Sequence, residues 1–212
     1  MRALALLAAA LLAGAANAAD ICAVKVPDPP PARAADGSAL TNAGFKDWLD
    51  GFRAKARAAG IPAKIFDEAM AGVKFTPKTI ERAQNANERT QRIWGYLKNR
   101  PSAERLATGK AELKKNAAIL ARIEDETGIP PEVLVTFWGV ETDYGRNKGK
   151  DDIFQAMAAL AYEGGRRDFY ENNLLAAMRL MQRYGFSKKK MVGSWAGAVG
   201  HAQFMPEAYE QY

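Results

Sequence analysis

The sequence predicts an all-α domain, and three observations carry that prediction. Alanine is abundant and alternating β-branched runs are scarce, which favours helix over sheet. Apolar residues recur at helical spacing along most of the chain after Leu40. Glycine and proline interrupt those stripes where helices would begin and end. No strand, internal repeat or heptad series is expected. At 212 residues, 48% hydrophobic and 25% charged, the chain can bury the core of one ordinary domain.

The elements follow in order. Phe45, Trp48, Leu49, Phe52 and Ala56 fall on one helical face, and Gly60-Ile61-Pro62 ends that helix and starts the next. Ile65, Phe66, Ala69 and Met70 give a second stripe, closed by Gly72. Ser102 is placed to cap a long helix carrying Leu106, Leu113, Ala117, Leu120 and Ile123, with Gly128 as its end. Pro130-Pro131 opens the next helix at its first turn, and that helix stops at Gly145. Helices are then expected from Ile153 to Tyr162, through "RRDFYENNLLAAMRLMQRYG", and from Pro206 onward.

The first 39 residues are read apart from this domain. Arg2, the apolar run Ala3 to Ala16 and the Ala16-Asn17-Ala18 tripeptide have the layout of a cleaved secretory signal, assigned to residues 1–18. The run is too short and too alanine-rich for a membrane span. Residues 19–39, with "VKVPDPPPARAADGS", read as a proline- and alanine-rich linker, leaving 40–212 as the folded domain. Cys22 is the only cysteine, so an internal disulfide is excluded. The bulky Ile21 before it disfavours lipid anchoring. A net charge of +6 suits an anionic partner, and for an exported protein that means cell-wall polymer or a membrane surface rather than nucleic acid.

Within "WGVETDYG" a carboxylate, Glu141, interrupts an apolar run. Leu134, Phe137 and Trp138 precede it by seven, four and three residues and share its helical face. If that face is the buried one, desolvation disfavours the charged form. The last turn of a helix, at the negative end of its dipole, does the same. Both effects favour the protonated acid that general acid catalysis uses. The alternative is a structural glutamate paired with a buried arginine, Arg166 or Arg167.

Other chemistries find less support. One histidine and one cysteine do not build an ordinary zinc site. In "GSWAG" the serine, Ser194, is displaced from the nucleophile-elbow position, and a Ser194–His201 pair has no marked acidic third member. There is no Walker or dinucleotide fingerprint. "RIWGYLKNR" interleaves aromatic and basic residues, a pattern that suits base stacking. Trp94 and Tyr96 in that stretch suit a glycan equally, and the export signal favours the glycan.

Three stretches, "IPPEVLVTFWGVETDYGRNKG", "ALAYEGGRRDFYENNLLAAMRL" and "GSWAGAVGHAQFMPEAYEQY", together resemble the membrane-bound lytic murein transglycosylase B family. The resemblance runs from about Phe45 to Tyr212. It implies a lysozyme-like (soluble lytic transglycosylase-like) helical fold, incomplete at its C-terminal end. It also implies a periplasmic enzyme, with peptidoglycan glycan strands as substrate and other cell-wall enzymes as further partners. The implied reaction is non-hydrolytic cleavage between N-acetylmuramic acid and N-acetylglucosamine, leaving a 1,6-anhydro-N-acetylmuramoyl end. Glu141 matches the family's catalytic glutamate. Ser194, Gln203 and Tyr96 match residues that contact the glycan.

In the family the muramoyl C6 hydroxyl replaces attacking water, so the second carboxylate of ordinary glycosidases is not needed. Gly193, Gly197 and Gly200 suit close approach of backbone to sugar or to a neighbouring helix. His201 departs from the family's usual residue, and no catalytic role is assigned to it. The family continues past the final "YEQY" with an aspartate- and glycine-rich loop that can bind calcium. No cofactor or metal is therefore expected within these 212 residues. A catalytically weak or inactive peptidoglycan-binding module is the alternative to the enzyme.

Overall fold

The computed structural model describes residue 34 and residues 36–84 and 102–211, all within the unit Ala32–Tyr212. The signal assignment, Cys22, nearly all of the linker, Trp94 and Tyr96 lie outside the described residues. The described part is helical, as expected, with one short strand pair.

Helix α1 (Asn42–Ala58) starts at Thr41, whose hydroxyl accepts the amide of Gly44 at 3.0 Å. It buries Phe45, Trp48, Phe52 and Ala56 of the stripe read from the sequence and leaves Leu49 half-buried. Helix α2 (Ala63–Met70) buries Phe66, Ala69 and Met70, and α3 (Pro77–Gln84) buries Ile80. These pack around α7 (Ile153–Glu163), in which every residue from Ile153 to Tyr162 except Gln155 is buried. A helix apolar on nearly all sides has to be wrapped by others. Helix α8 (Arg167–Tyr184) makes the most extensive helix pair with it.

Aromatic rings organise this core. Trp48 and Phe52 stack at 5.4 Å, while Phe45 and Phe75 each meet Tyr162 edge-on at 5.4 and 5.5 Å. Burying each such side chain stabilises the fold by about 1.5–3 kcal/mol. The Tyr162 hydroxyl donates to the Thr41 carbonyl and accepts its amide, which fixes where α1 begins.

The expected long helix from Ser102 is two helices. Ser102 does cap α4 (Ala103–Lys115), accepting the amide of Arg105 at 3.1 Å. The chain then breaks at Asn116, with φ −105° and ψ 14°, before α5 (Ala117–Thr127). The Asn116 amide donates to the Glu112 carbonyl and carboxylate, both at 2.9 Å, a local alternative to continuing the backbone ladder. The stripe read across the break is accordingly incoherent: Leu120 is buried, while Leu106 is exposed. Gly128 ends α5 in the left-handed conformation, and Pro131 opens α6 (Pro131–Thr142).

A second correction concerns strands. Residues Asp151–Asp152 (β1) pair antiparallel with Val192–Gly193 (β2), Asp151 opposite Gly193. Two-residue strands are too short to show an alternation, so the sequence carries no signal for them. Their effect is local but useful. Asp152 also caps α7, its carboxylate accepting the amides of Phe154 and Gln155 at 2.9 and 3.2 Å. The chain that follows β2 is thereby anchored to the start of the central helix. A short 3₁₀ turn (Lys188–Lys190) precedes β2, and α9 (Pro206–Gln211) closes the described chain against α8.

Two buried polar side chains of α8 tie the layers. Asn173 accepts the amide of Glu207 at 2.9 Å and so holds the first turn of α9. Glu171, 6% exposed, accepts from the Trp48 indole at 2.8 Å and from Lys55 at 2.7 Å. Removing it leaves a buried indole N–H unpaired and undoes two bonds, one of them charge-assisted. Glu171→Ala should lower unfolding free energy by about 2–4 kcal/mol, read from urea denaturation followed by circular dichroism.

Candidate active site

Helix α6 carries Glu141, and the structure corrects the face on which it lies. The buried positions of α6 are Val135, Gly139 and Thr142, a stripe of small residues. Leu134 and Trp138 are half-buried, Phe137 is 64% exposed and Glu141 is exposed. The physical reason lies in close packing. Gly139 lets the Tyr144 ring lie so near that a Cβ there would fall 2.6 Å from it, and bulky residues do not fit on that side. α6 is apolar on several faces, and apolar spacing alone favours the larger side chains. The desolvation argument for Glu141 does not hold in this structure. Glu141 does stand in the last turn of the helix. Among the described residues no ion pair involves Glu141, and Arg166 instead lies over the Phe169 ring at 3.9 Å. Among the described residues the buried glutamate is Glu171.

The end of α6 is built with unusual backbone. Asp143, Tyr144 and Gly145 have φ of 52°, 59° and 83°, three left-handed residues in a row. Such conformations cost non-glycine residues about 1–2 kcal/mol each and persist where surroundings enforce them. Here the Tyr144 hydroxyl donates to the Arg105 carbonyl at 2.9 Å, tying the turn to α4. Asp143 bonds Arg146 at 3.0 Å and lies 3.6 Å from Arg105. At Gly145 a Cβ would meet the His201 imidazole at 2.3 Å, so glycine is required both by φ and by space.

The other side of the site is the loop from Ser194 to Met205. The Ser194 hydroxyl accepts the Ala198 amide at 3.1 Å, and its backbone amide donates to Ala198 at 2.8 Å. Its demonstrated work is to close a turn. Gln203 adopts φ 51°, and its Nε2 donates to the carbonyls of Gly200 at 3.0 Å and Lys148 at 3.3 Å. The close approaches at Gly193, Gly197 and Gly200 are to protein: to the Ala198 carbonyl, the Met157 side chain and the Tyr209 hydroxyl. Burial pushes the Tyr209 phenol up, and that hydroxyl donates to the Val199 carbonyl at 3.0 Å.

His201 and Thr142, to which the sequence assigns no role, join the two sides. The Trp138 indole donates to His201 Nδ1 at 3.0 Å. The Thr142 hydroxyl donates to the His201 carbonyl at 2.7 Å and accepts the Gly145 amide at 3.0 Å. Ser194 and His201 are each engaged with other partners, which leaves the pair without the geometry of a catalytic couple. A threonine directly after a glutamate is the sequence signal for Thr142, and it is a weak one. Among the described residues no three His, Cys, Asp or Glu side chains converge.

The helical fold is of the lysozyme-like class, as in solved lytic transglycosylase structures. Within that class the chain belongs to the transglycosylase SLT domain family, whose model matches residues 44–212. It is 43% identical over 86 residues to membrane-bound lytic murein transglycosylase B of Escherichia coli (strain K12), covering 40% of this chain and 24% of that protein. It superposes on SltB3 of Pseudomonas aeruginosa in complex with NAG-NAM-pentapeptide with a TM-score of 0.70 and 37% identity, over 79% of this chain and 45% of that one. The Escherichia coli lytic transglycosylase Slt35 in complex with bulgecin A matches in fold, with a TM-score of 0.69 and 24% identity over 86% and 57% of the two chains.

Two outcomes test this geometry. Arg146, first by its hydrogen bond and then by its charge, holds the Asp143 carboxyl below the usual carboxylate range. A depressed folded-state value contributes stability that is present above the unfolded value and lost as pH falls through the folded one. The Asp143 carboxyl, followed by ¹³C NMR, should titrate below the ordinary range in the native chain and move up in Arg146→Ala. Gly145→Ala should destabilise the fold by about 1–3 kcal/mol in thermal or urea denaturation, because it combines strain with a clash.

Proposed function

We propose that this chain is a lytic transglycosylase of peptidoglycan, cleaving the β-1,4 bond between N-acetylmuramic acid and N-acetylglucosamine. One observation carries the reading. Glu141 is an exposed carboxylate at the end of α6, next to Thr142, which bonds the loop of Ser194 and Gln203 through the His201 carbonyl, and it lies inside the stretch matched to the family. The complex of SltB3, 37% identical, with NAG-NAM-pentapeptide supports a glycan substrate.

Glu141 acts first as general acid. Its carboxyl proton passes to the glycosidic oxygen as the bond from that oxygen to muramoyl C1 breaks. The C6 hydroxyl oxygen of the same sugar then bonds to C1, and its proton returns to the Glu141 carboxylate. The product is a 1,6-anhydro-N-acetylmuramoyl end and a free N-acetylglucosamine 4-hydroxyl, with no water consumed. Because the substrate supplies the nucleophile, one carboxylate suffices, and the step uses no cofactor. Phe137, one turn before Glu141, offers an exposed ring on which a sugar face can rest. A strand laid there excludes water from the reacting bond. Ser194, Gln203 and Tyr96 are the proposed glycan-contacting residues. The basic charge suits the anionic wall, and residues 1–18, as a cleaved signal, place the protein in the periplasm.

A non-catalytic wall-binding module is the second reading. It is favoured by the engagement of the Ser194 hydroxyl and the Gln203 amide within the protein itself. One experiment separates the two. Purified sacculi are incubated with the chain and with Glu141→Gln, and soluble anhydromuropeptides are measured by mass spectrometry. The variant should lose at least about 100-fold in product while still sedimenting with sacculi. Equal product from both proteins overturns Glu141 as acid and base, and sedimentation without product from the unaltered chain establishes the binding module.

A further inference from the structure

We propose that Thr142 and His201 are positioning residues for Glu141, forming with Trp138 a clamp that fixes the catalytic end of α6 to the loop of Ser194 and Gln203. The inference rests on the reading of Glu141 as acid and base.

The argument starts from burial. Thr142 is 1% exposed, one of three buried polar or charged side chains among the described residues. The other two, Glu171 and Asn173, tie helices of the core. The Thr142 hydroxyl lies 3.3 Å from the Trp138 carbonyl of its own helix, but its shorter bonds run to the site, to the carbonyl of His201 at 2.7 Å and from the amide of Gly145 at 3.0 Å. Trp138, one turn earlier, bonds the side chain of the same histidine. His201 is therefore held twice, once by its imidazole and once by its backbone, from two residues four apart on α6. Glu141 lies between them in sequence, three residues after one anchor and one before the other.

A single bond would permit the helix end to swing about it. Two bonds to one residue, with the imidazole also seated on Gly145, remove that freedom. The loop is in turn held to the chain after α6 by the Gln203 bond to Lys148 and to the central helix by the β1–β2 pair. The clamp touches no reacting atom. It acts by keeping the Glu141 backbone in register with the loop across which a glycan would lie. Catalytic groups need placement within about 0.5 Å, and a misplacement of about 1 Å costs on the order of 100-fold in rate.

The test uses the full chain and soluble uncrosslinked glycan strands, with Glu141→Gln as the control. Thr142→Val keeps the side chain's size and removes its hydroxyl. It should lower kcat by about 10- to 100-fold, with KM within about 3-fold of the unaltered chain if ground-state binding is intact. Thr142→Ser restores the hydroxyl and should recover kcat to within about 3-fold. His201→Asn, which keeps an acceptor, should retain more kcat than His201→Ala. The Trp138 indole N–H resonance should show faster solvent exchange in His201→Ala. Rates are expressed per folded molecule from melting curves recorded beside the assay. An undiminished kcat in Thr142→Val while Glu141→Gln is dead overturns this inference alone. So do equal losses in Thr142→Val and Thr142→Ser, or losses that follow only the folded fraction. A Glu141→Gln variant as active as the unaltered chain, or an unaltered chain that yields no anhydro product, overturns the catalytic reading and this inference with it.

Discussion

A helix that is apolar on nearly every side cannot face water, and α7 is such a helix, so the rest of the described structure is arranged to wrap it. Helices α1, α2, α3 and α8 supply the wrapping, with rings where space is large and alanines where helices approach closely. The same helix reaches the site through its first turn. Asp152 caps α7 and also pairs with Val192, so the loop that follows β2 begins from the most buried element of the molecule. Rigidity at Ser194 and Gln203 is thus borrowed from the core.

The candidate site is held from two directions. Tyr144 and Asp143 secure the end of α6 to α4, while Thr142 and Trp138 secure it to His201. Between these attachments stands an exposed carboxylate beside an exposed phenylalanine. That combination suits a long polymer better than a small molecule. A polymer brings its own surface to cover the carboxylate, whereas a small ligand needs a pocket already closed around it.

Much of the helical architecture was legible because its signals are local. Ser102, Gly128, Pro131 and Pro206 each mark a terminus through one residue's backbone or capping preference, and the structure places a helix boundary at each. The Phe45–Ala56 stripe was legible because its bulky residues have only one apolar side to occupy. Asn116 was not, since its break depends on a side chain competing for the Glu112 carbonyl inside an otherwise acceptable pattern. The burial of Glu141 was misread for a related reason. Periodicity weighs residues by size, and α6 packs through its small ones, a choice set by the Tyr144 ring arriving from outside the helix. Thr142 and His201 are 59 residues apart, and nothing local to either announces the bond between them. Tyr96 lies outside the described residues.

The left-handed turn at Asp143–Tyr144–Gly145 has a consequence for anyone engineering this domain. Judged by local backbone preference, Tyr144 is an obvious position to relax with glycine or asparagine, and such changes commonly raise melting temperatures elsewhere. Here the tyrosine ring is what fills the space beside Gly109 and Gly139 and holds α6 in place. Glycine or asparagine at Tyr144 would relieve about 1–2 kcal/mol of backbone strain but lose that packing and the bond to the Arg105 carbonyl, so the change would lower the melting temperature and loosen the end of α6. Local backbone preference and tertiary packing oppose each other at this position, and packing decides.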